Sequence, residues 1–419
     1  MFLTQSNVIR GLTKDEYKIL REMCVYSNNL YNVALYNIRQ YYFSSKRFLT
    51  YESNCSICNS NENYSLLQAG ISQQILKVAD RNFKSFFNLS NKCKTSDYRY
   101  YDVKMPTYRK KGSLYNLILS TNAITIKDGY LKLPLSFEFR KRHPGIKKIL
   151  IPFPERLEGK DIKEVRIIPV HNGKYFNVQY VYKEEIENKN LNPNNMLSID
   201  IGVDNLATCV SNVGTPFIID GRRIKSINQY WNKRKAYLQT IATKQGLHST
   251  ELIERITDKR NNQVRDILKK SARYIVDYCC NNNIGTIVVG YNLDFKRYVN
   301  LGKNNNQTFT QIPFGDLRNN IAYLCERYGI EYIEQEESYT SKASALDEDD
   351  IPLYNPTKHY EVPFSGKRIC RGLYESKNGT LINADVNGSA NILRKCKQNL
   401  SIKELCPGFL VSPSRIRLN

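Results

Sequence analysis

The stretch S-I-D-I-G-V-D-N-L-A, residues 198–207, decides the fold class of the second half of the chain. Residues 196–203 are mostly apolar, a pattern typical of a buried strand, and Asp200 lies in the middle of them. A carboxylate there is costly to bury unless it is paired or bound to a cation, and Gly202 lets a ligand approach the backbone. Taken alone, Asp200 could also accept hydrogen bonds from backbone amides at a strand end, and Asp204 fits a turn.

The pattern on either side of this strand predicts an α/β domain. Apolar runs and turn residues give the order βββ-α-β-α-β, then a polar stretch at 338–381 and a last helix. We place strands at 196–203, 207–211, 216–220, 286–290 and 330–337, and helices at about 224–244, 250–281, 314–328 and 385–396.

The first half of the chain combines helices with antiparallel strands. A capping-box pattern begins at Thr13, apolar residues follow in steps of three and four, and a second helix is predicted over about 66–87. The hydrophobic period then changes to two, and the Asn172-Gly173 pair is a hairpin signature, so we predict a small antiparallel sheet or barrel. The charged, Asn-rich segment 183–195 predicts a domain boundary.

The charge balance narrows the class of partner. The 419-residue chain carries 62 Lys and Arg against 40 Asp and Glu, a net charge of +22 at pH 7. On a chain of ordinary globular composition this excess favours a polyanionic partner, with a basic but merely soluble protein as the alternative. No run of about 18 apolar residues is present and the N-terminus lacks the apolar core of a signal peptide. We therefore expect a cytoplasmic protein.

The cysteines indicate a reducing compartment. There are eleven of them, scattered without the spacing of a disulfide framework, which favours buried thiols. Cys55 and Cys58 have the C-x-x-C spacing of a zinc pair, but neither a second pair nor a histidine lies at matching spacing. A surface loop with free thiols is the favoured interpretation, and a zinc site is the alternative.

Two further acidic motifs could share a site with Asp200. N-A-D-V-N-G-S-A-N-I-L places Asp385 at the start of the last helix, and E-Q-E-E-S-Y-T-S-K places Glu336 and Glu337 at a strand end. Alone, the first is a helix N-cap and the second a solvated acidic edge. Together, such carboxylates can hold two Mg²⁺ ions about 3.5–4 Å apart and support phosphodiester hydrolysis, which suits a nuclease with a basic surface. Phosphate-loop, G-x-G-x-x-G, H-E-x-x-H and G-x-S-x-G motifs are absent from the sequence.

These motifs resemble the RuvC motifs of TnpB, a family of transposon-encoded, RNA-guided DNA nucleases related to type V CRISPR effectors and the eukaryotic Fanzor proteins. The resemblance rests on S-I-D-I-G-V-D-N-L-A, E-E-S-Y-T-S-K and N-A-D-V-N-G-S-A-N-I. The opening L-Y-N-V-A-L-Y-N-I-R-Q-Y-Y-F and the stretch G-K-N-N-N-Q-T-F-T-Q-I-P-F look similar too, so the likeness covers most of the chain.

The resemblance implies a multidomain α/β protein. It implies an RNase H-like RuvC nuclease domain, and an N-terminal antiparallel β-barrel, or wedge domain, with an inserted helical recognition domain. The implied bounds are 1–12 and 100–190 for the wedge, 13–99 for the recognition domain, 191–195 for a linker, 196–337 and 382–400 for RuvC, 338–381 for an insertion, and 401–419 for a tail. The implied partners are a guide RNA from the same element and double-stranded target DNA beside a short motif. The implied cofactor is Mg²⁺, as two ions. The implied location is the cytoplasm of a prokaryote, with association with the nucleoid when the protein is bound to DNA.

The sequence departs from the family pattern at the middle catalytic residue. Asp200 matches the first catalytic Asp of the family and Asp385 the last. The usual Glu closes the fourth strand, but T-I-V-V-G-Y-N places Gly290 there. Some branches look as if they move this Glu to the next strand, before Y-T-S-K, and Glu337 matches that placement, with Glu336 as the fallback. The resemblance thus implies a catalytic and Mg²⁺-binding set of Asp200, Glu337 and Asp385.

The second departure concerns zinc. The family commonly has two C-x-x-C pairs after T-S-K, but here Ala343 stands at the first ligand position. Only Cys370 lies between there and Asp385, so we predict an insertion without zinc. The acidic run at 347–350 is interpreted as a solvated loop.

Basic and aromatic residues interleave in three stretches, 97–112, 139–148 and 295–303. Lys and Arg contact phosphates and Tyr stacks on bases, although solvated loops with packed tyrosines are the alternative. The candidate nucleic-acid contacts are Tyr98, Arg99, Tyr108, Arg109, Lys110, Lys111, Arg140, Lys141, Arg142, Lys147, Lys148, Lys296, Arg297 and Lys303.

Two rival functions stay open at the level of sequence. A guided DNA-binding repressor with an inactive site is suggested by Gly290 at the usual Glu position. An actin-like phosphotransferase can also carry D-I-G in its first strand, but the Gly-rich phosphate motifs of that class are absent from the sequence.

Overall fold

The fold consists of two compact units, Met1–Glu185 and Ile186–Asn419. They are seen in a computed structural model, which describes residues 1–95, 103–146, 148–291, 307, 309–353, 363–397 and 412–418. Each unit has a hydrophobic core of its own, and the protein is mixed α/β with several sheets.

In the first unit, a group of helices follows an N-terminal strand and precedes antiparallel strands. The helices are α1 (Lys14–Ser45), α2 (Tyr51–Cys58), α3 (Glu62–Ser65), α4 (Ala69–Thr95) and α5 (Phe137–Arg142). The strands are β1 (Phe2–Val8), β2 (Leu117–Ser120), β3 (Thr125–Lys127), β4 (Tyr130–Leu133), β5 (Ile149–Pro152), β6 (Asp161–Val170) and β7 (Tyr175–Lys183).

The capping box at the start of α1 is present. The Thr13 side chain accepts a hydrogen bond from the Glu16 amide, and the Glu16 carboxylate accepts one from the Thr13 amide at 2.8 Å. The apolar stripe of α1, which includes Leu20, Met23 and Leu30, is fully buried in the core of the first unit.

The strands of this unit form two antiparallel sheets. The larger has the order β1-β7-β6-β2 and the smaller the order β3-β4-β5. The hairpin between β6 and β7 turns at His171 and Asn172, which adopt φ values of 46° and 55°, and Gly173 follows with φ 79°. Side chains from both sheets and from the helices pack into one core.

The second unit is built on a larger sheet. Its strands are β8 (Asn192–Asp200), β9 (Asn205–Ser211), β10 (Phe217–Asp220), β11 (Ile284–Tyr291), β12 (Glu331–Glu336), β13 (Lys367–Cys370), β14 (Leu373–Glu375), β15 (Leu381–Asn383) and β16 (Ser414–Ile416). Its helices are α6 (Arg222–Lys244), α7 (Glu251–Asn281), α8 (Phe314–Tyr328) and α9 (Ala384–Cys396).

Six of these strands form one sheet in the order β12-β11-β8-β9-β10-β16. β12, β11 and β8 are parallel neighbours, β8, β9 and β10 are antiparallel, and β16 is parallel to β10. β11 is buried along seven of its eight residues, which explains its unbroken apolar sequence I-G-T-I-V-V-G. β13, β14 and β15 form a separate small antiparallel sheet, of which β13 and β14 lie within the predicted insertion and β15 begins at its last residue.

Three local predictions need correction. Strand β8 begins at Asn192, so most of the expected linker 191–195 is extended chain; Asn192 pairs with Ile284, and a register shift accommodates Pro193. The C-x-x-C pair does not lie in a loop but in α2, because Thr50 caps a helix there, and Cys58 is buried. The second long helix, α4, begins and ends later than the predicted 66–87.

None of the helices in the described ranges has the length and the apolar composition that a membrane span requires.

Candidate active site

The candidate site lies where parallel strands of the second unit end. β8 ends at Asp200, β11 at Tyr291 and β12 at Glu336. Because these strands are parallel neighbours, their carboxyl ends meet at one edge of the sheet. Glu337 directly follows β12 and, like Asp200, is partly buried. The sheet thus presents two of the three predicted acids at the same edge.

Helix α9 is fixed against β8 by buried serines. The Ser198 hydroxyl donates to the carbonyl oxygen of Ser389 at 2.7 Å, and the Ser389 hydroxyl donates to the carbonyl oxygen of Ser198 at 3.2 Å. A Cβ on Gly388 would lie 2.9 Å from Oδ2 of Asp200. Glycine at this position therefore allows the carboxylate to lie against the helix backbone.

The start of α9 places the third acid. Asn383 is the N-cap, and its side-chain oxygen accepts hydrogen bonds from the amides of Asp385 and Val386. Asp385 therefore lies in the first turn, one turn before Gly388, with a partly exposed side chain. The expected N-cap role falls to Asn383, which leaves the Asp385 carboxylate free of capping.

Two buried asparagines of α9 hold the loop that follows β12. Asn391 donates to the carbonyl oxygens of Thr340 at 2.9 Å and Ala343 at 2.7 Å. Asn387 donates to Ala343 O at 2.8 Å and accepts from the Ala345 amide at 2.9 Å. Because both asparagines are fully buried, these are the bonds that fix the backbone downstream of Glu337 relative to α9.

The Glu337 carboxylate occupies the space beside Gly290. A Cβ built on Gly290 would lie 2.8 Å from Glu337 Oε2 and 2.6 Å from Cδ1 of Ile392. Such contacts are closer than packed carbon atoms tolerate. The strand that lacks the usual Glu thus leaves room for a carboxylate that arrives from the next strand.

The three acids interact electrostatically at Asp200. Burial and the negative charges of Glu337 and Asp385 raise the pKa of Asp200 to about 8, although Arg368 opposes the change. Burial, and then the charge of Glu336, also raises the pKa of Glu337. A buried carboxylate surrounded by like charge is the arrangement that a bound cation would relieve.

The fallback residue Glu336 has different partners from Glu337. Lys395, whose side chain is only 4% exposed, forms an ion pair with Glu336 and also donates to the Ser338 carbonyl oxygen at 3.1 Å. The Ser338 amide donates to Glu336 Oε1 at 2.6 Å. Burial opposes ionisation of Glu336, but these donors outweigh it, and the pKa of its carboxyl is lowered. Glu336 is therefore committed to Lys395, whereas Glu337 faces Gly290.

The chemistry of this donor set fits a divalent cation, although its ligands do not surround one point. Among the described residues, no three His, Cys, Asp or Glu side chains lie close enough together to hold a metal ion as they stand. Carboxylate oxygens are nevertheless the ligands that Mg²⁺ prefers. Burial and the neighbouring negative charges raise the pKa of Asp200, and a bound cation would offset both effects.

Comparisons with known proteins point to one group. A family model described as a probable transposase, OrfB_IS605, matches residues 179–296, and one described as the Cas12f1-like TNB domain matches residues 314–392. A TnpB-like protein, ORF457, of Acidianus two-tailed virus is 25% identical over 210 residues, which cover 48% of this chain and 42% of that protein. The chain thus spans less than half the length of this viral relative.

A second relative and a solved structure agree. The CRISPR-associated endodeoxyribonuclease Cas12f1 of Sulfoacidibacillus thermotolerans is 25% identical over 359 residues, covering 78% of this chain and 77% of that protein. The cryo-EM structure of a Cas12f1–sgRNA–target DNA complex has a similar fold, with a TM-score of 0.60 and 16% identity over 91% of this chain and 83% of that one. The chain is thus similar to TnpB-like proteins and to type V effectors.

The predicted nucleic-acid contacts differ in their surroundings. Tyr108, Lys110 and Lys111 are exposed in the first unit. Arg109 is instead engaged within the fold, since its guanidinium donates to Asn28 Oδ1 at 3.0 Å and lies 4.2 Å from the centre of the Tyr115 ring. Its surroundings indicate a structural role.

The second basic stretch lies on and after α5. Arg140 is exposed but donates to the Leu135 carbonyl oxygen at 3.0 Å, and Lys148 is exposed. Lys141 pairs with Glu138 at 3.2 Å, and Arg142 forms an ion pair with Glu62. The last two cations are thus partly neutralised within the protein. Tyr98, Arg99, Lys147, Lys296, Arg297 and Lys303 lie outside the described residues.

A basic surface that lies outside the three predicted stretches is found on α6 in the second unit. Helix α6 contains seven basic residues and no acidic one. Tyr230 and Tyr237 are 72% and 60% exposed on it, with exposed Lys233 and Arg234 between them. The absence of any Asp or Glu from 23 consecutive residues was the signal that could have identified this helix.

Reasoning from sequence also missed the neighbours of Asp385. Asn205 donates to Asp385 Oδ2 at 2.7 Å, and Arg368 lies 3.9 Å from Oδ1. Neither residue stands in a pattern that distinguishes it from other polar residues, because the contacts join segments about 180 and 17 residues apart in the chain.

Proposed function

We propose that this protein is a transposon-encoded, RNA-guided, Mg²⁺-dependent DNA endonuclease with an RNase H-like RuvC site. The observation that carries the proposal is the placement of three acids: Asp200 and Glu337 lie at one carboxyl edge of the sheet, and Asp385 lies in the first turn of the helix that packs against β8. The sheet order supports the RuvC assignment, because among its six strands only β9 runs antiparallel to the others. The wedge barrel and recognition domain of the first unit remain part of the same proposal.

Each acid has a distinct support that suits it to hold a cation. Asp200 is presented by the end of β8 against Gly388, and Glu337 enters beside Gly290. Asp385 is presented by the first turn of α9 and is held by Asn205. These three side chains would hold Mg²⁺, which when bound activates water and stabilises the leaving oxygen of a phosphodiester.

The remaining charges around the site have complementary tasks. Arg368 is exposed and lies 3.9 Å from Asp385 Oδ1, so its guanidinium can contact a phosphate oxygen of the substrate. Lys395 neutralises Glu336 and so limits the negative charge that a DNA backbone must approach. The basic, tyrosine-bearing face of α6 offers phosphate contacts and stacking surfaces for a nucleic-acid strand.

The partners follow from the relatives. The solved Cas12f1 complex contains a single guide RNA and target DNA, and the bacterial relative is a CRISPR-associated endodeoxyribonuclease. With a net charge of +22, this chain suits a complex with two nucleic acids. We therefore propose a guide RNA from the same element and a double-stranded target as partners.

Cleavage of a target plasmid tests the proposal. The purified protein–RNA complex is incubated with a plasmid that carries the matching target, with Mg²⁺ or with EDTA. We expect cutting by the wild type only with Mg²⁺, and none by Asp200→Ala. Equal cutting by both proteins would contradict the assignment of the site.

A guided DNA-binding repressor is the second candidate. It is favoured by the lack of any preformed cluster of three metal-binding side chains in the described ranges. A wild type that binds its target tightly but leaves it intact at every Mg²⁺ concentration would support the repressor over the nuclease.

A further inference from the structure

The C-terminal segment adds a strand next to the candidate site. β16 pairs with β10 in parallel, with Arg415 opposite Ile218 and Ile416 opposite Ile219. Ile416 packs against the core of the second unit, and Arg223 donates to the carbonyl oxygen of Leu418 at 2.8 Å. On the other side of Arg415, the Ser414 amide donates to the carbonyl oxygen of Pro216 at 3.1 Å, so the segment is anchored before and after this residue.

Arg415 reaches from this strand to Asn205. Its Nη2 donates to Asn205 Oδ1 at 3.0 Å, while Nη1 lies 3.6 Å from Oδ2 of Asp220. Asp220 is nearly buried and is paired as well with Arg222, which holds its pKa at about 2, so it stays ionised near neutral pH. The guanidinium is thus oriented by an anion on one side and by an amide oxygen on the other.

The contact with Arg415 determines which way the Asn205 amide faces. A guanidinium can only donate, so the amide must turn its oxygen toward Arg415 and its NH₂ toward the opposite side. On that side Asn205 Nδ2 donates to Asp385 Oδ2 at 2.7 Å. With the amide reversed, two donors would face each other at Arg415 and two acceptors at Asp385.

We propose that Arg415 is a positioning residue, which acts through Asn205 to hold the Asp385 carboxylate in the orientation that the site needs. The inference rests on the proposed function, in which Asp385 is a metal-binding acid. The side chain of Asp385 is partly exposed and could otherwise rotate in solvent, so the Asn205 hydrogen bond restricts it. The C-terminal strand is, by this argument, a component of the nuclease site.

A matched pair of variants tests the inference. Arg417 lies two residues further along the same segment and also contacts Asp220, at 3.8 Å, but no hydrogen bond joins it to Asn205 in the part of the chain that the structure describes. Single-turnover cleavage of prebound target is measured for Arg415→Ala and Arg417→Ala, beside target affinity and melting temperature. We expect Arg415→Ala to cut about 10-fold more slowly with unchanged affinity, a typical loss for a residue that orients a metal ligand. Arg417→Ala should cut like the wild type.

Further variants separate positioning from folding. Arg415→Lys should restore part of the rate, because an ammonium can also donate to Asn205 Oδ1. Asn205→Ala should slow cutting like Arg415→Ala, and the double variant should be no slower than the single ones, since both remove the same contact. Equal rates for Arg415→Ala and Arg417→Ala would overturn the inference, as would full additivity of Asn205→Ala and Arg415→Ala.

A readout that does not depend on cleavage keeps the two proposals apart. Mn²⁺ binding to the protein–RNA complex is titrated by electron paramagnetic resonance for the wild type, Arg415→Ala, Arg417→Ala and Asp200→Ala. We expect weaker binding for Arg415→Ala than for Arg417→Ala. If the wild type never cuts but this order holds, the nuclease proposal fails and the positioning role stands. If the wild type cuts while Arg415→Ala binds Mn²⁺ and cuts as Arg417→Ala does, only the positioning role fails.

Discussion

At the scale of single residues, the site depends on two glycines that admit carboxylates. Gly388 makes room for Asp200 against α9, and Gly290 makes room for Glu337 beside β11. In both cases the missing Cβ lies toward an acid that arrives from another element, so the relation is invisible in the local sequence. The sequence pattern identified the acids, but only the structure shows that Glu337, and not Glu336, fills the space beside Gly290.

The first prediction concerns Gly290→Ala. The added Cβ would lie 2.8 Å from the Glu337 carboxylate and 2.6 Å from Ile392, so Glu337 must move. We expect about 1–3 kcal/mol of destabilisation and slower cutting, measured by thermal unfolding and by plasmid cleavage. Gly315→Ala is the matched control: it lies in α8, where nothing is within 4 Å of a Cβ, and alanine should be neutral or slightly stabilising. Equal effects at both positions would contradict the steric argument.

The second prediction concerns pH. Because the folded state raises the pKa of Asp200 from 3.8 to about 8, the folded protein binds a proton that the unfolded chain releases. The metal-free protein should therefore lose stability as the pH rises from about 4 to about 8, and Asp200→Asn should lose less over that range. Denaturant unfolding at a series of pH values, in EDTA and then with Mg²⁺, measures this. If the stability of the wild type and of Asp200→Asn depends on pH in the same way in EDTA, the pKa of Asp200 is not raised in the folded protein.

At the scale of elements, helix α9 organises the site. Its serine contacts fix it to β8, and its asparagines hold the loop after β12, so one helix aligns acids from three segments. The motif N-A-D-V-N-G-S-A-N-I contains one acid, but most of its other residues are polar or small groups that serve this packing. The motif therefore serves the packing of α9 against β8 and the loop after β12, as well as the proposed chemistry.

Asn391→Ala tests this role of α9. The change removes the Asn391 donor from the carbonyl oxygen of Thr340 and one of two side-chain donors from that of Ala343, in a buried environment. We expect a cost of about 1–3 kcal/mol in the free energy of unfolding and slower cutting, because the backbone after Glu337 loses its anchor. Asn262→Ala, at an exposed position of α7, is the control and should change neither. Unaltered cutting by a folded Asn391→Ala protein would argue against the anchoring role.

The elements themselves differ in how far sequence could predict them. The capping box of α1 and the apolar run of β11 are local signals, and both elements form where those signals lie. The extension of β8 back to Asn192 depends on pairing with Ile284, about 90 residues away, and α2 depends on a cap at Thr50 in a polar stretch. Pairing across such a distance leaves no periodic trace, which is why the linker was misplaced. The C-x-x-C segment was misplaced for another reason: a single local cap in a polar stretch is a weak helix signal.

At the scale of the whole molecule, the positive charge is unevenly distributed. The second unit combines an acidic centre with α6, a helix of seven cations and no acid, while in the first unit Lys141 and Arg142 are already paired. The net charge of +22 is therefore a poor guide to which residues meet nucleic acid. The internal partners of each cation have to be known first.

Salt dependence tests the role of α6. Binding of the protein–RNA complex to target DNA should weaken steeply with salt, and the double change Lys233→Ala/Arg234→Ala should reduce the slope of log K against log[salt] by about one per lost phosphate contact. Lys141→Ala is the control, because that lysine already pairs with Glu138. Slopes that are identical for all three proteins would show that α6 does not contact the backbone of the nucleic acid.

The most direct test of the nuclease assignment compares two adjacent glutamates. Glu337 faces Gly290 and acts electrostatically on Asp200, whereas Glu336 pairs with Lys395. Single-turnover cleavage of bound target DNA in Mg²⁺ is measured for Glu337→Gln and Glu336→Gln, with target affinity measured in parallel. We predict that Glu337→Gln binds but cuts at least about 100-fold more slowly, the scale expected for loss of a group that stabilises charge in the reaction, while Glu336→Gln keeps most of its activity. Full cutting by Glu337→Gln, or loss of cutting confined to Glu336→Gln, would contradict the assignment of Glu337 to the nuclease site.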